Sequence, residues 1–496
     1  MSGYLRRLLT AGAAYQLSSA VSALLALALL PVYTRHLSRD DYGTAELLLT
    51  TIILVSIVVR LGLGEALLRF HFIDADPLRR RTLARTATGT LAILTTLVAA
   101  LVAIFAAPVS RALLGHTEVA ELRAAALGLW AFANLELAYA LLRVEERGRA
   151  FATASIANVL LTVVLTVWLV VFEDQGAFGL LIGNYGASAA IVVALWLTQR
   201  DAFGLRPGGI SRAQLGPMLR FGLPTVPADV SVFALFFIDR MWLYHAKSEG
   251  ATGLYSLAVK LAGVVVICVR AFQFAWPPLA YSIEDDREAG RLYATVTTYY
   301  VLFTGLIVAA LALLGRWLVR IFAAPQYFPA HTALPWVALG WALYGLFLVL
   351  VAMAGRAQVT VRNAPAALCG LIVNVALLAL LVPGMGITGA ALALVGAYVV
   401  MLVVMWLLIR DLFHVPFEWG RLACFVAVAG ALAALGELAL PSAGAVGLIA
   451  RALVWCLIVP ALWALRFFRP GEIAAVKRLL ARVRRPAAAA SPSAGG

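Results

Sequence analysis

The sequence predicts an all-α polytopic membrane protein with about 14 transmembrane helices, arranged as two pseudo-symmetric six-helix lobes plus two C-terminal helices. Three observations predict it. Of 496 residues, 63% are hydrophobic and 13% charged, against about 45–50% and about 25% in soluble domains. The apolar residues gather in runs near the ~20 residues that a helix needs to cross the hydrocarbon core, without the alternation of a barrel strand. Small landmarks also recur at a shift of 210 residues. A soluble chain of this length would lack the polar surface to cover its domains, which argues against soluble enzymes, disordered scaffolds and disulfide frameworks.

The first run, 11–34, follows Arg6 and Arg7 and continues to Tyr33 with no small-x-small cleavage site. It reads as an uncleaved first span rather than a signal peptide. Runs at 44–68, 85–107, 119–142, 151–172 and 178–199 complete an N-terminal lobe, 1–210. Runs at 219–246, 252–275, 291–314, 329–354, 364–383 and 387–409 form a C-terminal lobe, 211–415. Runs at 420–440 and 446–466 are accessory spans 13 and 14. The remainder, 467–496, is a basic tail, amphipathic in its middle as suits an anionic leaflet and low-complexity from Pro486.

Basic residues fall about three to one on the side holding both termini. Both termini are therefore expected in the cytoplasm of a bacterial inner membrane, with an even helix count. The net charge of +14 is then a topology signal rather than a nucleic-acid footprint. No loop exceeds about 20 residues, so no soluble catalytic domain hangs on either face. Cys268, Cys369, Cys424 and Cys456 lie inside apolar runs, and the six histidines sit at span ends without metal spacing. No cofactor and no metal are expected.

At the 210-residue shift Gly12 meets Gly222, Gly43 meets Gly253, and Gly176, Gly179 and Gly186 meet Gly386, Gly389 and Gly396. Ser38 meets Ser248, and Arg60 meets Arg270. The match joins spans 1–6 to spans 7–12 in the same orientation, a transporter architecture.

The segment from Leu30 reads LPVYTRHLSRDDYGTAELLLT, and its counterpart reads DRMWLYHAKSEGATGLYSLAVKLA. Both resemble the polysaccharide (O-antigen type) flippases of the multidrug/oligosaccharidyl-lipid/polysaccharide superfamily. The resemblance covers nearly the whole chain. It implies two bundles around a central cavity and movement of an undecaprenyl-pyrophosphate-linked oligosaccharide to the outer leaflet by alternating access. Related flippases line that cavity with cations from early helices of both lobes. The implied partners are the lipid-linked oligosaccharide, the phospholipid bilayer and other polysaccharide-assembly membrane proteins, with no nucleic acid.

Charges inside spans cost about 2.5–3.5 kcal/mol each at mid-helix, so each asks for a reason. Arg60 and Glu65 stand in span 2, Glu136 in span 4, Asp229, Asp239 and Arg240 in span 7, Lys260 and Arg270 in span 8, and Glu437 in span 13. Depth along the span 7–8 hairpin pairs Asp239 with Lys260 and Asp229 with Arg270. Those carboxylates are then ion-pair partners or carriers of a coupling ion. Arg60 is level with Ser18 and Ser19 of span 1, so that hairpin offers it no carboxylate. Snorkelling to the membrane edge is its plain role and a lipid phosphate its functional one. Arg60, Lys260 and Arg270 are the expected substrate-binding cations, gathered in one cavity by the repeat. Asp229 follows Pro224 and Pro227, whose freed carbonyls loosen the helix start.

Two other functions stay open. A multidrug or cation antiporter of the same superfamily relies on acidic residues in the N-terminal lobe, and span 1 has none. An integral-membrane glycan polymerase or ligase ordinarily needs a large outer loop. The topology is open to test: a reporter that folds only in the cytoplasm, fused after Arg485, should give signal. Signal there from a periplasmic reporter alone would overturn the orientation.

Overall fold

The computed structural model describes residues 27–73, 76–199, 210–281, 283, 285–357, 359, 362–411 and 415–472. Most of the first span, with Gly12, Ser18 and Ser19, and the tail from residue 473 lie outside the described residues. Helix α1 is described over 27–36. It is followed by α2 (Arg39–Val59), α3 (Leu63–Ile73), α4 (Pro77–Ile104), α5 (Ala106–Leu114), α6 (Val119–Val144), α7 (Gly148–Val167) and α8 (Gly176–Thr198). Next come α9 (Arg212–Gly222), α10 (Val226–Ala246), α11 (Glu249–Leu261), α12 (Gly263–Tyr281), α13 (Asp286–Phe322) and α14 (Leu334–Arg356). The 47-residue α15 (Asn363–Ile409), α16 (Trp419–Ala439) and α17 (Gly444–Ala464) complete the chain.

Ten of these helices are long and apolar enough to cross a bilayer, or twelve when the bent pairs α9–α10 and α11–α12 each count as one span. Helix α15 is itself folded back. Gly386 has φ 56° and ψ −129°, and a Cβ on Gly370 would meet the Met401 side chain at 2.2 Å. The two halves of α15 are thus two antiparallel spans joined at Gly386. The expected fourteen is not reached among the described residues, since span 1 is described only at its end.

By packing, the described residues divide into two units, those within 27–281 with 315–411, and those within 283–314 with 415–472. Helix α13 is 37 residues long, and its first part packs with α16 and α17.

In the larger unit, helix starts follow from the sequence. Ser38 caps α2, its Oγ accepting from Asp41 N at 3.0 Å, and Asp40 and Asp41 complement the helix dipole. Ser248 caps α11 in the same way, accepting from Ala251 N at 3.1 Å. Gly176 and Gly386, also 210 residues apart, both take positive φ, 52° and 56°. Gly43 and Gly253 do more than correspond, because they touch. A Cβ on Gly43 would lie 1.9 Å from the Glu249 carbonyl oxygen, and one on Gly253 would lie 2.3 Å from the Arg39 carbonyl oxygen. Helices α2 and α11 therefore cross backbone against backbone. Around the crossing, Leu47, Leu48 and Ile52 of α2 pack with Leu122 and Leu129 of α6, Tyr185 of α8 and Tyr244 of α10.

Three breaks shape this unit further. After Arg60, Leu61 (φ 53°) and Gly62 (φ 67°) turn the chain from α2 into α3. Gly62 lies so close to Gly222 that a Cβ on either would fall within 2.5 Å of the other's carbonyl oxygen. Pro224 lies in the 3-10 turn Leu223–Thr225 that separates α9 from α10, as the proline spacing led us to expect. Helices α11 and α12 meet at a 46° bend.

In the smaller unit, the Phe425 ring fills the notch left by Gly305, and Trp455 Nε1 donates to the Leu306 carbonyl at 2.9 Å. Arg421 binds Glu472 with two 3.0 Å bonds and also pairs with Glu418, which Arg469 meets at 2.7 Å. Glu437, the charge singled out in span 13, has a partner. It pairs with Arg451, whose guanidinium also donates to the Leu440 and Pro441 carbonyls. Arg451 thus ties the α16 end to α17.

The Gly43–Gly253 crossing predicts a measurable asymmetry among glycines. Gly43→Ala or Gly253→Ala should destabilise the purified protein by about 3 kcal/mol, because overpacked backbone cannot yield as side chains do. Gly430→Ala, with nothing within 4 Å of its Cβ position, should leave the melting temperature unchanged. Equal melting temperatures for all three variants would contradict the close crossing.

Candidate functional site

The larger unit holds a cavity of about 620 Å³ lined by α2, α8, α10, α11, α12 and α14. Three cations face it, Arg240, Lys260 and Arg270, with one carboxylate, Glu46. Each comes from a helix whose path is already set. Glu46 lies two turns into α2, just past the Gly43 crossing. Lys260 ends α11, which that crossing presses against α2. Arg270 lies in α12, beyond the bend.

The Lys260 ammonium pairs with the Glu46 carboxylate and stands 5.1 Å over the Tyr42 ring. Arg240 is buried, its Nε donating to Ser256 Oγ at 3.1 Å and its Nη1 to the Phe236 carbonyl at 2.9 Å. Arg270 is exposed to the cavity. Among the described residues, neither arginine forms an ion pair. The facing wall is aromatic: Phe236 stacks on Trp341 with ring centres 4.5 Å apart, and Tyr344 meets Trp341 edge-on at 6.0 Å. Burying a cation without a counter-charge is costly. Three cations against one carboxylate therefore make a chamber suited to an anion, and the rings offer faces for a polar, ring-shaped group beside it.

A second cavity of about 540 Å³ shares Tyr344 with the first and is mostly apolar, lined by Pro224, Pro227, Leu235, Phe347, Val351 and Met401 among others. A third, of about 420 Å³, contains Arg60, Glu65, Glu136 and Arg143. There Arg60 Nη1 lies 3.9 Å from Glu136 Oε2, and its Nε donates to the Ser56 carbonyl at 3.3 Å.

These placements correct several expectations. Lys260 and Asp239 do not pair. Helix α11 turns Lys260 toward Glu46 of α2. Asp239 is buried instead, accepting from Tyr255 Oη at 2.8 Å and from Asn374 Nδ2 at 3.2 Å. Asp229 and Arg270 do not pair either. The charges that act on Asp229 are Glu65 and Arg60, at the other cavity. Arg60 does have a carboxylate within reach, supplied by Glu136 of α6 rather than by span 1. The repeat therefore does not bring Arg60 into the chamber of Lys260 and Arg270. Glu46 was missed because the run was read from residue 44, which left it at the membrane edge. Capping at Ser38 starts the helix five residues earlier, and the Ser38-x-x-Asp41 spacing was the signal for it.

A family model described as polysaccharide biosynthesis protein matches residues 9–283, more than half of the chain. "Lsg locus putative protein 1" of Haemophilus influenzae is 31% identical over 102 residues, 21% of this chain and 24% of that protein. The match thus spans about a quarter of that relative's length. Among solved structures, the lipid II flippase MurJ in an inward closed conformation superposes with a TM-score of 0.72 at 13% identity, covering 94% of this chain and 99% of that one. A multidrug resistance MATE family transporter of the MOP superfamily, inward-facing, gives 0.64 at 17% identity, covering 79% and 94%. At such identities these two show a shared fold. The chain belongs to the polysaccharide biosynthesis protein family, and its membrane fold is the one found in the MurJ flippase and the MATE transporters.

Proposed function

We propose that this protein is a flippase. It moves a polyprenyl-pyrophosphate-linked oligosaccharide from the cytoplasmic to the outer leaflet of the bacterial inner membrane, by alternating access, for surface polysaccharide assembly. The observation that carries this reading is the chamber in which Arg240, Lys260 and Arg270 face Glu46 beside the Phe236–Trp341–Tyr344 wall. A pyrophosphate cannot cross the lipid core bare, and dispersed cations compensate it without the grip of a tight cage. The aromatic faces suit the sugars that follow. The apolar second cavity adjoins at Tyr344.

Within this reading Arg270 and Lys260 bind phosphate directly. Arg60, in its own cavity with Glu136, meets the headgroup at the cytoplasmic end. Asp239, buried between neutral donors, and Asp229, beside Arg60, are the candidate coupling carboxylates. The protein acts as a transporter rather than an enzyme, with both termini cytoplasmic. Its lobes are 1–210 and 211–415, supported by the matching Ser38 and Ser248 caps. Spans 13 and 14 (416–466) and the tail (467–496) are accessories. Export of cationic drugs fits this chamber poorly, since its cations outnumber its carboxylate.

Losing one charge-assisted contact to phosphate costs about 1.5–3 kcal/mol. Arg270→Gln should therefore lower translocation roughly tenfold or more, with partial recovery in Arg270→Lys. Arg60→Ala should have the smaller effect. Complementation of a flippase-null strain, read beside the protein level in the membrane, measures both. Full translocation by a well-expressed Lys260→Gln/Arg270→Gln double variant would remove the cationic-chamber mechanism.

A further inference from the structure

The flippase reading uses the cations of the chamber but leaves Glu46 unexplained. A carboxylate is an odd group to bury in an anion site. Glu46 is 4% exposed, and its cation partner is Lys260. The two belong to α2 and α11, the helices that meet backbone to backbone at Gly43 and Gly253. The same helices are tied once more near the crossing, where Thr44 Oγ1 donates to Glu249 Oε2 at 3.2 Å. The Glu46–Lys260 pair is therefore a charged tie between the two helices whose cavity-side end faces the site of the incoming anion. Lys260, with about 31% of its side chain exposed, can reach the chamber, whereas the Glu46 side chain is 5% exposed.

We propose that Glu46 is a placeholder for the substrate's phosphate. It holds Lys260 in the empty chamber, and its displacement by phosphate loosens α2 from α11. The physical logic has two steps. A bound pyrophosphate competes for the Lys260 ammonium and adds its own negative charge beside Glu46. Glu46 is then a buried carboxylate without its counter-ion, a strongly unfavourable arrangement while it stays dry. Parting of α2 and α11 relieves this by letting water reach the carboxylate. Binding free energy is thereby converted into separation of the two helices, and part of the affinity is given up, which aids release. Glu46 is a positioning residue in this scheme and does not touch the substrate.

The inference rests on the flippase reading, and one set of measurements separates the two. The purified full-length protein is titrated calorimetrically with inorganic pyrophosphate, and amide hydrogen exchange of residues 39–59 and 249–261 is followed with and without it. In the wild type, pyrophosphate should bind and raise exchange along both segments. Glu46→Gln keeps the side-chain size but removes the competitor. It should bind pyrophosphate about tenfold tighter, since a charge competition of this kind is worth ~1.4 kcal/mol. Its exchange should already be raised without ligand and should change little on binding. Glu46→Asp should restore the wild-type response in part, and Lys260→Gln should bind more weakly than either. No binding of pyrophosphate to the wild type would overturn the flippase reading, and this inference with it. Binding with no rise in exchange, or a Glu46→Gln variant that matches the wild type in affinity and exchange, would overturn the placeholder role alone.

Discussion

The contact between α2 and α11 at Gly43 and Gly253 is the constraint on which the chamber depends. With carbonyl oxygens of the facing helix at the positions a Cβ would take, these helices approach as closely as two helices can. That approach places Glu46 against Lys260, seats Tyr42 beneath the ammonium and fixes the floor of the chamber. In a membrane, helices gain little from burying apolar surface against each other, so small residues and paired polar groups must hold them together. The site and the fold therefore use the same few residues. What keeps the helices together is also what an anion entering the chamber would disturb.

Much of the fold was legible because the bilayer imposes one strong rule, and runs of apolar residues obey it. The breaks were partly legible. Pro224 announced the 3-10 turn, but nothing short of geometry marks Leu61, a branched-chain residue at positive φ. The repeat was legible at its caps and turns, where Ser38 and Ser248, and Gly176 and Gly386, do the same local work 210 residues apart. Such positions are fixed by backbone geometry, which leaves few residue choices.

The site was legible only in depth. Counting residues from a span end locates a charge along the membrane normal but not around the helix axis. By residue count Lys260 and Asp239 were expected to be level, yet one faces α2 and the other Tyr255 and Asn374. Azimuth is decided by which neighbours are close, and a hairpin reading supplies only the next helix in sequence. Three partners came from farther away: Glu46 for Lys260, Glu136 for Arg60, and Asn374 for Asp239. Each reflects packing between distant spans, and no local pattern encodes it.

The fate of the repeated arginines shows how a pseudo-symmetric pair diverges. Arg60 and Arg270 align at the 210-residue shift, yet they line different cavities. The difference lies in where each span breaks. In the first half the break follows Arg60 immediately, so the arginine caps α2 and turns toward Glu136 of α6. In the second half the bend falls at Ala262, ahead of Arg270, and the arginine rides on α12 beyond it, facing Lys260 and Arg240 across the chamber. A shift in the breakpoint thus places the two aligned arginines at different cavities. It leaves the chamber with cations drawn from the second half and a single carboxylate, Glu46, from the first. The chamber lining is thus complementary in charge, with Arg240, Lys260 and Arg270 from α10, α11 and α12 set against Glu46 from α2.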